Sequence, residues 1–234
     1  MWKTFSGLLA AALASSACLA ADLTETESRW LKGAWPVIAF ARQAKLPLDI
    51  VVQPQPTPGA APLGMAFVDG RCKLVLSMRG NPEAQATLER IEPELLDATL
   101  ELMAAHELGH CRRYLDTAWY ALPAGFAAVP VSVDAGAESP PLDSDMAAAR
   151  REEGFGDLVG LAWTQQHHPR LYTSLHAWLL DERTKDRVVG GAHDTLPWLR
   201  LAQEGATLAG TSIFAKPSIL WAAGLAAGEG GDRR

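Results

Sequence analysis

Cysteine is scarce in this chain of 234 residues: three, at positions 18, 72 and 111, with no C-x-x-C pair. That count argues against a metal site built from cysteines. Positive charge is short as well. Lys and Arg total 21 against 27 Asp and Glu, a net charge of −6, and the basic residues are scattered rather than striped. Nucleic acid is therefore not the expected partner. The chain has no glycine-rich phosphate loop and no G-x-S-x-G, which removes the usual serine elbow of hydrolases. After the N-terminus no apolar run reaches the length of a bilayer span. Ile213 to Ala227 comes nearest, but it is too short and holds Lys216 and Pro217. A packed terminal helix is expected there, with Gly228 to Arg234 as a frayed tail.

Met1 to Ala20 has the pattern of a secretory signal: Lys3, an apolar stretch, then small residues. Cleavage after Ala20 places small Cys18 at minus three, whereas cleavage after Ala21 would place bulkier Leu19 there. Lipidation of Cys18 ranks second, because Ser15 stands where an aliphatic residue is expected. An uncleaved anchor is the third reading, and proximity to a membrane follows only from these two. Removal of the signal leaves residues 21–234, which suits one domain with a sizeable core. The expected location is periplasmic or secreted.

What the chain does contain is His106-Glu107-Leu108-Gly109-His110. On a helix, residues four apart lie one above the other, so both imidazoles can grip one divalent ion. Glu107 is then placed to take a proton from water activated at that ion. The run from Pro93 to Leu115 is dense in helix formers. On it Leu95, Leu102, Met103, His106 and His110 share one face, with Thr99 as the polar interruption. An apolar face ending in two histidines turns them inward.

A catalytic zinc usually has three protein ligands. The extension in which a Gly and a third His follow soon after is ruled out, because Arg113 and Asp116 hold those positions. The next option is a Glu on a later helix, and Asp143 to His168 reads as one, capped by Asp143 or Ser144. There Glu153 can act as ligand while Asp157, four residues on, accepts from a ligand imidazole. Glu152 competes, but its partner position holds Gly156. Gly154, Gly156 and Gly160 each cost about 1 kcal/mol relative to Ala in a helix, and would let the two helices approach closely. The alternative is an exposed acidic pair on a solvated face.

HELGH followed by E-x-x-x-D on a later helix resembles the gluzincins, the thermolysin-like zinc peptidases, and within them the HtpX-like group. The resemblance spans the middle and later parts of the chain and leaves the first third unmatched. It implies one zinc per chain on His106, His110 and Glu153, Glu107 as general base, and Asp157 holding His106. It also implies an α+β zincin-like fold, a small mixed sheet packed on the metal-binding helix with a mostly helical C-terminal half. The strand near Cys72 would run along the cleft and pair with extended substrate. The chain departs from many HtpX-like proteins in lacking transmembrane helices around the core. His193, in a turn after Gly190-Gly191 with Arg200 beyond, resembles the family's loop His and downstream Arg, and so is expected to stabilise the transition state. Tyr120 is the runner-up, with Tyr114 and Tyr172 behind it.

Other elements are legible. Thr24 to Glu27 is a capping-box pattern ahead of a helix to about Ala44. Leu48 to Gln53 reads as a strand and Pro54 to Pro62 as a loop. Gly64 to Asp69 and Cys72 to Met78 form a hairpin around Asp69-Gly70, and Asn81-Pro82 opens a helix. Ala121 to Pro141 is irregular, in the manner of a lid or binding loop. His167 and His168 suit surface capping, and His176 suits packing. Cys72 and Cys111 can pair in an oxidising compartment or stand as buried thiols. The expected function is a zinc endopeptidase acting on protein or peptide. The alternatives are a zincin-fold protein that binds zinc without cleaving, and a zinc hydrolase of a non-peptide amide.

Overall fold

The computed structural model describes residues 22–54, 57, 59–118, 142–185 and 187–231, with the side chains of 142–145 and 226–231 left aside. The signal-like segment, Tyr120 and the expected lid 121–141 lie outside the described residues.

Helix α1 (Glu25–Gln43) starts as its capping box dictates. The Thr24 hydroxyl accepts from the Glu27 amide at 3.1 Å, and the Glu27 carboxylate accepts from the Thr24 amide at 2.7 Å. Its buried stripe of Trp30, Ala34, Val37, Ile38 and Ala41 packs on the sheet and the metal-motif helix. Strands β1 (Leu48–Pro54), β2 (Leu63–Val68) and β3 (Arg71–Arg79) form one mixed sheet in the order β1-β3-β2. β3 runs parallel to β1 and antiparallel to β2, with Leu74 opposite both Ile50 and Met65. Positive φ at Asp69 (53°) and Gly70 (73°) closes the β2–β3 hairpin in the twist-matched turn that these two residues favour.

After α2 (Pro82–Arg90), capped by Asn81, comes α3 (Leu96–Leu115), which carries the motif. It begins three residues later than the sequence suggests. A tight turn gives the Leu95 amide to the Glu92 carbonyl, and α-helical bonding starts only with Thr99 to Leu95. The rest is helical: α4 (Leu142–His167), α5 (Tyr172–Thr184), α6 (Leu196–Leu201) and α7 (Ala215–Gly231), with 3-10 turns at Pro169–Leu171 and Gly205–Leu208. α4 already runs from Leu142, so Asp143 and Ser144 lie inside its first turn rather than capping it. The described residues thus form a mixed α+β architecture of seven helices and three strands.

α4 lies along α3. A Cβ on Gly156 would meet the His106 ring at 2.8 Å, and one on Gly160 would meet the Leu102 carbonyl at 2.9 Å. Those two glycines permit the close approach expected of them. Gly154 does not serve it: its absent Cβ leaves room for the Trp198 ring of α6 instead. Cys72 of β3 and Cys111 of α3 form a disulfide, fixing the motif helix to the central strand.

Candidate metal centre and its cleft

His106 and His110 sit on the inner face of α3, 8 % and 3 % exposed, and their Nε2 atoms approach to 2.9 Å. Glu153 reaches across from α4: one carboxylate oxygen is 3.3 Å from His106 Nε2, the other 3.4 Å from His110 Nε2. Three ligand atoms therefore converge from two helices, and this group could hold a metal ion. The spacing suits a tetrahedral ion, whose ligands at about 2.0–2.1 Å would stand about 3.3 Å apart. Glu152 is turned away. It is buried against Arg113, whose guanidinium donates to both its oxygens at 2.7 and 2.9 Å.

Behind His106, its Nδ1 meets the Asp157 carboxylate at 2.9 Å. An ionised carboxylate only accepts, so Nδ1 carries a hydrogen and the ring turns its Nε2 toward Glu153 and His110. Asp157 is fully buried and densely served. Arg183 of α5 donates to it twice, at 2.9 and 2.6 Å, and Thr195 once, at 2.6 Å. Arg183 also reaches Glu153 at 3.3 Å.

Burial opposes charge on Asp157, Glu153 and His106, and neighbours reverse it. It would push the Asp157 carboxyl up, but the Arg183 and His106 charges hold it below the usual carboxylate range. It would push Glu153 up too, but His106 and His110 hold it well below. Burial would lower His106, yet the Glu153 and Asp157 carboxylates raise it to about 10. The pocket is a field that seeks positive charge. Glu107 differs: half-buried on the cleft wall, its carboxyl is raised by burial, with the two histidines opposing.

A cleft of about 490 Å³ opens over these groups. His106, Glu107, His110, Glu153, Arg183 and His193 line it, and Leu63, Met65, Leu102 and Trp178 make its walls apolar. His193 stands at the rim, its side chain 70 % exposed and its Nε2 3.6 Å from Glu153.

Several expectations need correction. Arg200 is exposed on α6 and does not line the cleft; the cation at the site is Arg183. Arg183 continues the buried face of Tyr172, Leu175, His176 and Leu179 on α5, a periodicity that could have found it. Thr195 carries no such signal. The strand near Cys72, β3, is paired on both sides and has no edge for a substrate. β2 borders the cleft instead, with Leu63, Gly64 and Met65. Tyr114 and Tyr172 are buried, donate to the carbonyls of Met65 and Ala202, and do not themselves line the cleft. His168 is held by Glu101 at 2.9 Å and His167 stacks on Trp163, so neither is a simple surface cap. His176 packs as expected, its Nε2 donating to the Leu199 carbonyl at 2.8 Å.

No family model, no curated protein and no solved structure matches this chain.

Proposed function

We propose that this protein is a zinc-dependent endopeptidase of gluzincin type, secreted or periplasmic, that hydrolyses peptide bonds in protein or peptide substrates. The observation that carries this reading is the convergence of His106 Nε2, His110 Nε2 and the Glu153 carboxylate, with Glu107 beside them on an open cleft. His106, His110 and Glu153 would hold the ion. Zinc supplies Lewis acidity there, acidifying a water molecule and polarising a carbonyl.

The chain's own groups do the rest. Asp157 fixes the tautomer of His106, and Arg183 fixes Asp157. Glu107 takes the proton of the attacking water and delivers it to the leaving amine nitrogen. Its raised pKa favours that exchange near neutral pH. His193, at the rim, donates to the oxyanion that develops on the substrate. The outer edge of β2, unpaired among the described residues, offers backbone groups to an extended peptide along the apolar wall.

The test is casein cleavage by the zinc-loaded protein and by Glu107→Gln. The variant should keep one zinc per chain and lose about 10²- to 10⁴-fold in turnover. Zinc retained with no cleavage by either protein would overturn the peptidase reading.

A further inference from the structure

The short loop 187–195 leads into α6 and reaches the rim of the cleft through Ala192 and His193. Asp194 lies inside this loop, 6 % exposed, and gathers three donors. The Arg187 Nε and Nη2 groups reach its two oxygens at 2.7 and 3.2 Å, and the Gly190 amide reaches it at 2.9 Å. Gly190 has φ +76°, a conformation that glycine adopts without strain, and it lets the chain turn so that its amide points back at Asp194. The loop is thereby closed on itself by a two-pronged ion pair and a backbone bond.

The neighbours of Asp194 on either side both belong to the site. His193 precedes it and faces Glu153; Thr195 follows it and donates to Asp157 at 2.6 Å. Three consecutive residues thus have three duties: one faces the cleft, one locks the loop, one latches the loop to the carboxylate that orients His106. His193 itself is 70 % exposed, and its carbonyl accepts from the Thr195 amide at 2.9 Å. Its position has to come from its neighbours.

We infer that Arg187 and Asp194 are positioning residues: their clasp holds His193 over the cleft for transition-state stabilisation. The inference deepens the peptidase reading and rests on it. Neither residue lines the cleft over Glu153. Neither lies among the groups that would hold the ion, so the metal should be bound normally without the clasp. A misplacement of about 1 Å in a catalytic group can cost on the order of a hundredfold in rate, so a clasp of this kind has kinetic weight.

The test is a double-mutant cycle on the zinc-loaded protein with a quenched fluorogenic casein peptide, using Asp194→Asn and His193→Ala singly and together. Asp194→Asn should lower kcat about tenfold or more while KM stays within about twofold, with one zinc per chain retained. In the His193→Ala background the same change should cost less than about twofold, because its effect passes through His193. Arg187→Lys, which keeps the charge but not the fork, should fall between wild type and Asp194→Asn. Full additivity of the two changes, or an unchanged kcat in Asp194→Asn, would overturn the inference and leave the peptidase reading standing. No cleavage by zinc-loaded wild type would overturn the peptidase reading. The clasp is then judged on amide hydrogen exchange alone: the Gly190 amide should exchange about tenfold faster or more in Asp194→Asn, and equal rates would refute the clasp.

Discussion

His106 is the residue on which the site's electrostatics turn. In the metal-free protein its pKa is raised to about 10, so at neutral pH the ring is an imidazolium, and its Nε2 faces His110 Nε2 across 2.9 Å. A metal ligand must be neutral. Binding at pH 7 therefore has to expel that proton. Calorimetric titration of zinc into the metal-free protein, in two buffers of different ionisation enthalpy, should report about one proton released per zinc. The apparent affinity should climb about tenfold per pH unit from pH 7 toward 10. No buffer dependence would show that His106 is neutral before the metal arrives. The sign for stability is the reverse. A raised His pKa stabilises the metal-free fold fully below the unfolded value of about 6.5, and that contribution fades as pH rises through about 10. The motif residues and Glu153 were legible because their chemistry is local: four-residue spacing on one helix, and a carboxylate with an acceptor one turn on. Arg183 and Thr195 reach Asp157 from other elements, and that meeting is set by tertiary packing.

At the scale of elements, the α3–α4 contact decides whether His106, His110 and Glu153 meet. Gly156 is where it is tightest, since a Cβ there would meet the His106 ring at 2.8 Å. Gly156→Ala gains about 1 kcal/mol of helix propensity. Overpacking costs about 1–3 kcal/mol, and the ring has no room to retreat while Asp157 holds it, so the clash wins. The variant should bind zinc about tenfold or more weakly, read by competition with a chelating dye. Gly160→Ala, which crowds the Leu102 carbonyl, should lose stability while keeping its zinc affinity. Equal losses of zinc affinity in both would show that the helix contact matters only globally. Helix and strand identities came through in the sequence because caps, turns and periodicity are local signals. The order β1-β3-β2 did not, and it moved the free cleft edge from the strand near Cys72 to β2.

For the whole molecule, the Cys72–Cys111 disulfide spans 39 residues and joins the sheet to the motif helix beside His110. Closing a loop of that length stabilises by about 3–4 kcal/mol in the chain-entropy model. Cys72→Ala with Cys111→Ala should therefore lower the melting temperature by roughly 6–16 °C in calorimetry. An unchanged melting temperature would mean that the core alone secures α3. The pairing was open in the sequence, where two buried thiols were an equal reading, because register between β3 and α3 is a property of the assembled fold.

Zinc K-edge absorption spectroscopy on the zinc-loaded protein tests the central claim most directly, since it reads the ligands without requiring any substrate. Two imidazole nitrogens and carboxylate oxygen at about 2.0–2.2 Å, with no sulfur, are predicted, and one imidazole should vanish in His110→Ala. A sulfur shell, an all-oxygen shell, or a spectrum indifferent to His110→Ala would contradict it.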